Sequence, residues 1–183
     1  MFKQTKTMKF MTIKRIFMSV ALALAMTVGA AAQDADAQYA KNLLQPGTTA
    51  PDFTLAAPDG TSHNLSSLRG SYVVLDFWAS WCPDCRKDTP MLKELYTKYG
   101  QNIKFVTVSF DDDKAKWTNY IEANGMDWLN LSELKKWKQT EISKQYNIQW
   151  IPAMYLIDRQ GQIILSTVMI EKLAAKLKEL HEL

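Results

Sequence analysis

Apolar positions along the chain switch between short continuous runs and a spacing of three to four residues, and each switch marks an element. Residues 72–78 (Tyr-Val-Val-Leu-Asp-Phe-Trp) form a β-branched and aromatic run preceded by Gly70-Ser71. Such a run suits a strand buried on both faces, and the acid inside it, Asp76, is the anomaly. From 83 to 99 the apolar residues Met91, Leu92, Leu95, Tyr96 and Tyr99 recur at helical spacing up to Gly100, with Pro90 inside the pattern expected to kink it. Residues 103–110 predict a second buried strand, and Asp111-Asp112-Asp113 the cap of a helix running to Asn124-Gly125. A short strand over 127–131 and a short helix over 141–146 follow. Residues 153–157 and 162–167 predict paired strands around the turn Asp158-Arg159-Gln160-Gly161. At the C-terminus Ile170, Leu173, Ala174, Leu177 and Leu180 share one helical face opposite Lys172, Lys176, Lys178 and Glu179, the pattern of a core-covering helix. Upstream, 50–55 and 63–65 flank the turn signal Asp59-Gly60 and predict an N-terminal β-hairpin. The order of elements describes an α/β domain with a central mixed β-sheet flanked by helices, an N-terminal β-hairpin and a central insertion.

The first 45 residues follow neither period. Lys3, Lys6, Lys9, Lys14 and Arg15 precede an uncharged apolar run over 16–32 that ends in Gly29-Ala30-Ala31-Ala32. A basic start, an apolar run and a small-residue exit describe a secretory signal, with cleavage after Ala32 or Ala37. A membrane anchor through residues 16–32 is the competing reading, but the run falls short of the roughly 20 apolar residues of a span. Residues 1–32 are therefore assigned to a signal peptide, 33–45 to a flexible tail and 46–183 to the domain. Residues 1–32 carry five basic residues and no acidic one, so their removal takes the formal net charge from +3 to −2. The basic balance belongs to the signal, and no nucleic-acid partner is expected of the remainder. About 150 residues suffice for one domain with its own core. The two cysteines, three positions apart, would close too small a loop to matter as a staple. Their purpose is chemical.

The motif Trp81-Cys82-Pro83-Asp84-Cys85 lies between the predicted buried strand and the predicted helix. Helix N-terminal N–H groups and the helix dipole favour an anion, so the first cysteine has its thiolate stabilised. Cys82 is the expected nucleophile and the accessible thiol. Cys85, one turn on, is the expected resolving thiol that attacks the mixed disulfide formed on Cys82. Pro83 suits the first helical turn, where its missing N–H costs nothing. A structural zinc site is disfavoured because His63 and His181 stand at no ligand spacing from the cysteines, and no metal is expected. An inert structural disulfide is the other alternative, disfavoured by the strand-to-helix setting.

The residues 73–85, Val-Val-Leu-Asp-Phe-Trp-Ala-Ser-Trp-Cys-Pro-Asp-Cys, together with Pro90 and Trp150-Ile151-Pro152 ahead of a strand, resemble the thioredoxins. Pro46-Gly47, Phe53-Thr54-Leu55, Leu68-Arg69-Gly70 and residues 155–161 resemble more narrowly the exported TlpA/ResA-like branch, related to the AhpC/TSA group. The resemblance implies a thioredoxin fold and an enzyme that reduces or exchanges disulfides of exported proteins in the periplasm or cell envelope. One setting for such an enzyme is cytochrome c maturation. It implies no dissociable cofactor beyond a redox-active Cys82–Cys85 disulfide. It also implies a cis Ile151–Pro152 bond facing Cys82, with the Ile151 backbone offered to an extended substrate segment. Asp76 matches the buried acid that moves the resolving cysteine's proton; its plain alternative is a hydrogen-bonded structural acid. Trp81, Pro83, Asp84, Ile151 and Pro152 become the substrate-facing set, although core packing accounts equally well for Trp81 and an ordinary loop for Pro152. Trp117, Trp128 and Trp137 receive no task. Asp84 departs from the neutral or basic residue common among relatives. Its charge disfavours the Cys82 thiolate and so favours a reductant, an effect that Arg86 and Lys87 partly offset, and a reductant in an oxidising compartment needs a membrane-borne thiol donor. Two other functions compete. A thiol peroxidase would carry threonine three positions before its cysteine, where this chain has Ala79. A non-catalytic thioredoxin-like binding domain would not need the cysteine pair with Asp76 and Pro152.

Overall fold

The structure is a computed structural model that describes residues 35–182. The proposed signal or anchor lies outside the described residues. Among the described residues no helix is long and apolar enough to cross a membrane.

The chain forms β1 (Thr54–Ala56), β2 (Ser62–Asn64), β3 (Tyr72–Trp78), α1 (Pro83–Tyr99), β4 (Ile103–Ser109), α2 (Lys114–Asn124), β5 (Leu129–Ser132), α3 (Glu141–Gln145), β6 (Ala153–Ile157), β7 (Ile163–Thr167) and α4 (Ile170–His181). The strands make one mixed sheet in the order β2-β1-β5-β4-β3-β6-β7. β3 runs parallel to β4 and antiparallel to β6, so both its edges are paired. This is a thioredoxin fold, with the hairpin β1–β2 added at one edge.

Side chains alternate across β3 and sort the core into two layers. Trp78 points to the face where α2 lies, its ring 5.2 Å from that of Tyr120. Register places Val74 beside Phe105, whose ring meets Tyr96 of α1 at 5.5 Å, so α1 covers this same face. Phe77 points the other way, into a cluster with Phe110, Tyr146 and Tyr155 at 5.9, 5.2 and 6.1 Å between ring centroids. Asp76 is thus on the face that carries α1.

Cys82 caps α1 and Pro83 opens it; Pro90 stays within the helix without ending it. The lost donor falls on the exposed side of the helix, where Arg86 and Pro90 both face solvent. Gly100 ends the helix with φ −63°, not in the left-handed form that a terminal glycine suggests. Its role is close approach, since a Cβ there would lie 2.6 Å from the Tyr96 carbonyl oxygen. Asp113 alone of the three aspartates caps α2, accepting from the backbone N–H of Ala115 and Lys116 at 2.9 and 3.2 Å.

Two expectations need correction. The strand expected over 50–55 begins only at Thr54, because Ala50 spends its N–H on the Gly161 carbonyl and Pro51 has none to give. Residues 39–45, expected as a flexible tail, are docked. Leu43 is buried, Tyr39 stacks on Trp150 at 4.0 Å, and the Leu44 N–H donates to the Tyr155 hydroxyl at 3.2 Å. That hydroxyl in turn donates to the Tyr146 carbonyl at 2.6 Å. Only three large apolar side chains lie in this stretch, too few for a period, so sequence pattern could not report the docking.

Tyr155→Phe removes both bonds at once and leaves a part-buried N–H and a buried carbonyl unserved. We expect a loss of about 1–3 kcal/mol in urea unfolding of the disulfide form. A loss below about 0.5 kcal/mol would show that the hydroxyl does not anchor the segment.

Candidate active site

The site is assembled where β3 ends and α1 begins. The Cys82 N–H donates to the Ala79 carbonyl at 3.1 Å, which tightens the turn between them. Ser80 is held from below by Asp111, which accepts from the Ser80 N–H at 2.9 Å and the Ser80 hydroxyl at 2.7 Å. Asp111 is buried and is itself steadied by the Ser109 hydroxyl at 2.6 Å. The residue read as part of a helix cap therefore pins the loop that carries Trp81 and Cys82.

Cys82 and Cys85 are joined as a disulfide, their Cα atoms 5.3 Å apart. The Cys85 N–H donates to the Cys82 sulfur at 3.2 Å, placing that sulfur against the amides of the helix start. Across the site the Ile151–Pro152 peptide bond is cis, and the Ile151 carbonyl oxygen lies 3.7 Å from the Cys82 sulfur. The two cysteines are equally buried at 4% exposure, so the expected difference in accessibility is absent from the disulfide form. They differ in surroundings. Cys82 faces the Ile151 loop, whereas Cys85 lines an internal cavity of ≈ 10 Å³, about the size of one water.

Asp76 lines the same cavity, and its Oδ1 has no hydrogen-bond partner. The alternative of a hydrogen-bonded structural acid lacks its bond at that oxygen. Burial, with the negative charge of Asp88 added, pushes the Asp76 carboxyl up to about 8. It is protonated at neutral pH while the disulfide is closed. Asp88, half-buried on α1, is pushed up to about 6 by burial and by the charges of Glu171 and Asp84, against the opposing pull of Lys87. Sequence reasoning passed over Asp88, although its place three residues after Cys85 put it on the same helical face.

Trp81 stands out of the surface at 52% exposure, with its ring 6.4 Å from Trp137, in the connection between β5 and α3. Trp137, left without a task, is seated by stacking on Phe110 at 5.6 Å. Trp117 and Trp128 are buried. Asp84 is exposed and paired with Lys87 at 3.0 Å. His63 adjoins Thr61 and His181 packs on Tyr99, each away from the cysteines. Among the described residues no group of three or more His, Cys, Asp or Glu is placed to hold a metal ion.

A reversible disulfide at a helix N-terminus, backed by a protonated carboxyl and faced by a cis-proline loop, equips a thioredoxin fold for dithiol–disulfide exchange. Comparison with known proteins agrees. A family profile described as thioredoxin-like matches residues 70–163. The chain is 31% identical over 144 residues to the thiol-disulfide oxidoreductase ResA of Geobacillus kaustophilus, covering 76% of this chain and 80% of the relative. A solved thiol-disulfide oxidoreductase from Bacteroides fragilis superposes with a TM-score of 0.68 at 31% identity, over 73% of this chain and 99% of that one. The thioredoxin domain of a Bacteroides vulgatus thiol-disulfide oxidoreductase gives 0.69 at 28% identity, over 75% and 98%. The chain belongs to the thioredoxin-like family, and within it to the thiol–disulfide oxidoreductases.

The raised Asp76 carboxyl has a consequence for stability. Below about pH 4 folded and unfolded chains both hold the proton; from there to about 8 only the folded chain does. Through that window the unfolded state binds fewer protons, so this group lowers stability as pH rises. Asp76→Asn in the disulfide form should therefore gain on the parent between pH 4 and pH 8, by at least the about 1.4 kcal/mol of one pKa unit. A stability difference that stays constant with pH would contradict the buried, proton-holding carboxyl.

Proposed function

We propose that the protein is exported and reduces disulfides of other exported proteins in the periplasm or cell envelope. The observation that carries this reading is the unequal setting of the two sulfurs. Cys82 faces the Ile151 carbonyl and receives the Cys85 N–H, while Cys85 faces the cavity shared with Asp76. An extended substrate segment pairs with the Ile151 backbone between Trp81 and the Pro152 loop, and Pro83 and Asp84 form the floor beside it. The Cys82 thiolate attacks one substrate sulfur, forming the mixed disulfide and expelling the other as a thiolate. Asp76, as carboxylate, takes the Cys85 proton. The Cys85 thiolate then attacks Cys82, closing the Cys82–Cys85 bond and releasing the second substrate sulfur. When a donor thiolate reopens the disulfide, protonated Asp76 returns the proton to the Cys85 leaving group.

Residues 1–32 support export as a signal peptide, with retention through 16–32 as the alternative outcome of N-terminal sequencing. A reductant in an oxidising compartment must be resupplied, so a membrane-borne thiol donor is its partner, and cytochrome c maturation is one setting for such a chain. Reduced protein should reduce insulin, and a Cys85→Ala variant expressed in its native envelope should retain substrates as mixed disulfides on Cys82. An inactive reduced protein would leave only a binding domain.

The direction of exchange follows from Asp84. Its charge shares the helix start with the Cys82 thiolate, which destabilises the reduced form. We expect an equilibrium potential near that of thioredoxin, about −270 mV, and far from the about −120 mV of a strong oxidant. Asp84→Asn should raise it. An unchanged or lower value would show that the Asp84 charge, already drawn to Lys87 at 3.0 Å, does not set the direction.

A further inference from the structure

Trp137, in the connection from β5 to α3, is fixed through both its ring and its backbone. The ring stacks on buried Phe110 at 5.6 Å, and the carbonyl accepts from the Thr140 hydroxyl at 2.7 Å and the Ser143 hydroxyl at 3.1 Å. From it a groove of ≈ 590 Å³ runs past Lys138 and Lys144 to Asn147 and Gln149. Trp137 at one end of this groove lies 6.4 Å, ring to ring, from Trp81, the neighbour of Cys82; Gln149 at the other end leads directly into Trp150 and Ile151. Among the described residues, Leu134 at φ 51° and Asn147 at φ 52° are the two non-glycine residues with left-handed backbone, and they bracket this stretch. A bulky side chain such as leucine is strained there, and strain of that kind gathers where a surface is shaped for a ligand.

The groove is also basic. Residues 133–144 carry four lysines and two glutamates, whereas the chain after residue 32 has a formal net charge of −2. Both glutamates are engaged: Glu133 accepts from Lys135 at 3.2 Å and from the Ile142 N–H at 3.1 Å, and Glu141 holds Lys144 at 2.7 Å. Lys138 is exposed on the groove wall, and no acid among the described residues pairs with it. An indole surface beside an uncompensated cation suits an extended chain that bears carboxylates: the ring packs on carbon of any sequence, and the ammonium selects the charge.

We propose that this groove is the selectivity subsite for the substrate, taking an acidic stretch of chain next to the disulfide-bonded cysteine, with Trp137 as its shelf and Lys138 as the group that reads the charge. The proposal rests on the reading of Cys82 as the attacking thiol and of the Ile151 backbone as the rail for an extended substrate segment. The bonds formed and broken are those of the exchange itself. The groove contributes binding and register, and no atom of Lys138 takes part in the chemistry. Exposed lysines also attract anionic membranes, but Lys138 stands on the wall of a concave groove that leads into the loop facing the Cys82 sulfur, a shape that fits a chain rather than a bilayer.

The test uses two peptides, each a symmetric dimer joined by one disulfide, alike except that glutamates flanking the cysteine in one are glutamines in the other. The second-order rate of their reduction by the reduced protein is measured in single turnover, at low salt and at about 1 M, where the Debye length falls to about 3 Å. The glutamate dimer should react faster by about 3-fold at low salt, the worth of one exposed ion pair, and the two rates should converge at high salt. Lys138→Glu should invert the preference by a similar factor. Lys104→Glu should leave it in place, because Lys104 lies at the end of β4 beside Val73, away from the site. Trp137→Ala should slow both dimers by about 10-fold, as loss of an aromatic anchor does. Should that truncation unseat Phe110 and unfold the chain, the Lys138→Glu comparison still decides. Equal rates for the two dimers, a preference that Lys138→Glu leaves in place, or one that Lys104→Glu shifts as far would each overturn the subsite and leave the reductase. Lys138-dependent binding to phosphatidylglycerol vesicles without a peptide preference would overturn it in favour of a membrane contact. A reduced protein that acts on neither dimer nor on insulin would overturn the reading on which the subsite rests.

Discussion

A carboxyl group sits at the centre of the best-paired strand in the protein, and much of the local architecture answers to it. β3 is paired along both edges, so its backbone is satisfied without help from side chains. That leaves Asp76 free of any structural hydrogen-bonding duty, and its Oδ1 is unserved. Among the described residues no cation acts on it. The neighbouring charge is another acid, Asp88, and burial and repulsion act in the same direction. The fold keeps the group neutral rather than paired, which costs less than burying an isolated charge but more than burying an apolar side chain. A stabilising residue at this position would be easy to supply. What the position offers in return is a carboxyl that lines the same cavity, of ≈ 10 Å³, as Cys85, the placement on which the proposed proton transfer rests.

The helix start imposes a second constraint, because several anionic groups share one set of amides. Cys82 is the cap and receives the Cys85 N–H, so its thiolate has first claim on the field of the helix terminus. Asp84, in the first turn, draws on the same field. Lys87 bonds Asp84 on the exposed side of the helix and diverts part of its charge away from the sulfur. On the opposite side of that turn Cys85 and Asp88 point down to the cavity. One and a half turns of helix therefore separate two charge problems: the anion at the helix start above and the buried acids below.

Local chemistry was legible in the sequence and long-range chemistry was not. β3, α1 and β6 have the bounds that their apolar patterns predict, because each is a strong period closed by a glycine, a proline or a cysteine cap. Cys82, Cys85 and Asp76 lie within ten residues of one another, and the Ile151-Pro152 pair was supplied by resemblance, since nothing in a lone X-Pro announces the cis form. Asp111 was missed because its partner Ser80 is 31 residues away and its neighbours Asp112 and Asp113 make an equally good cap. Asp88 was missed for a different reason: helical spacing puts it beside Cys85, but only the packing of α4 supplies the acid Glu171 that makes it unusual.

The docked segment over 39–45 ties the N-terminal side of the domain to its active site. Tyr39 stacks on Trp150, and the Asn42 side-chain amide donates to that of Gln149 at 2.6 Å. Both contacts fall on the loop that leads into Ile151, which also contains Asn147 at φ 52°, a left-handed conformation that asparagine tolerates better than most residues. Farther along, the Leu44 N–H reaches Tyr155 on β6, the strand that follows Pro152, and the Ser166 hydroxyl donates to the Leu44 carbonyl from β7. The segment thus braces the loop that faces Cys82 from both of its ends. A loop that holds a backbone carbonyl 3.7 Å from the Cys82 sulfur needs such bracing, because a shift of about 1 Å would lose that approach. Polar and small residues in a leader are ordinarily spare length. Here their aromatic and amide side chains hold the loop that faces Cys82.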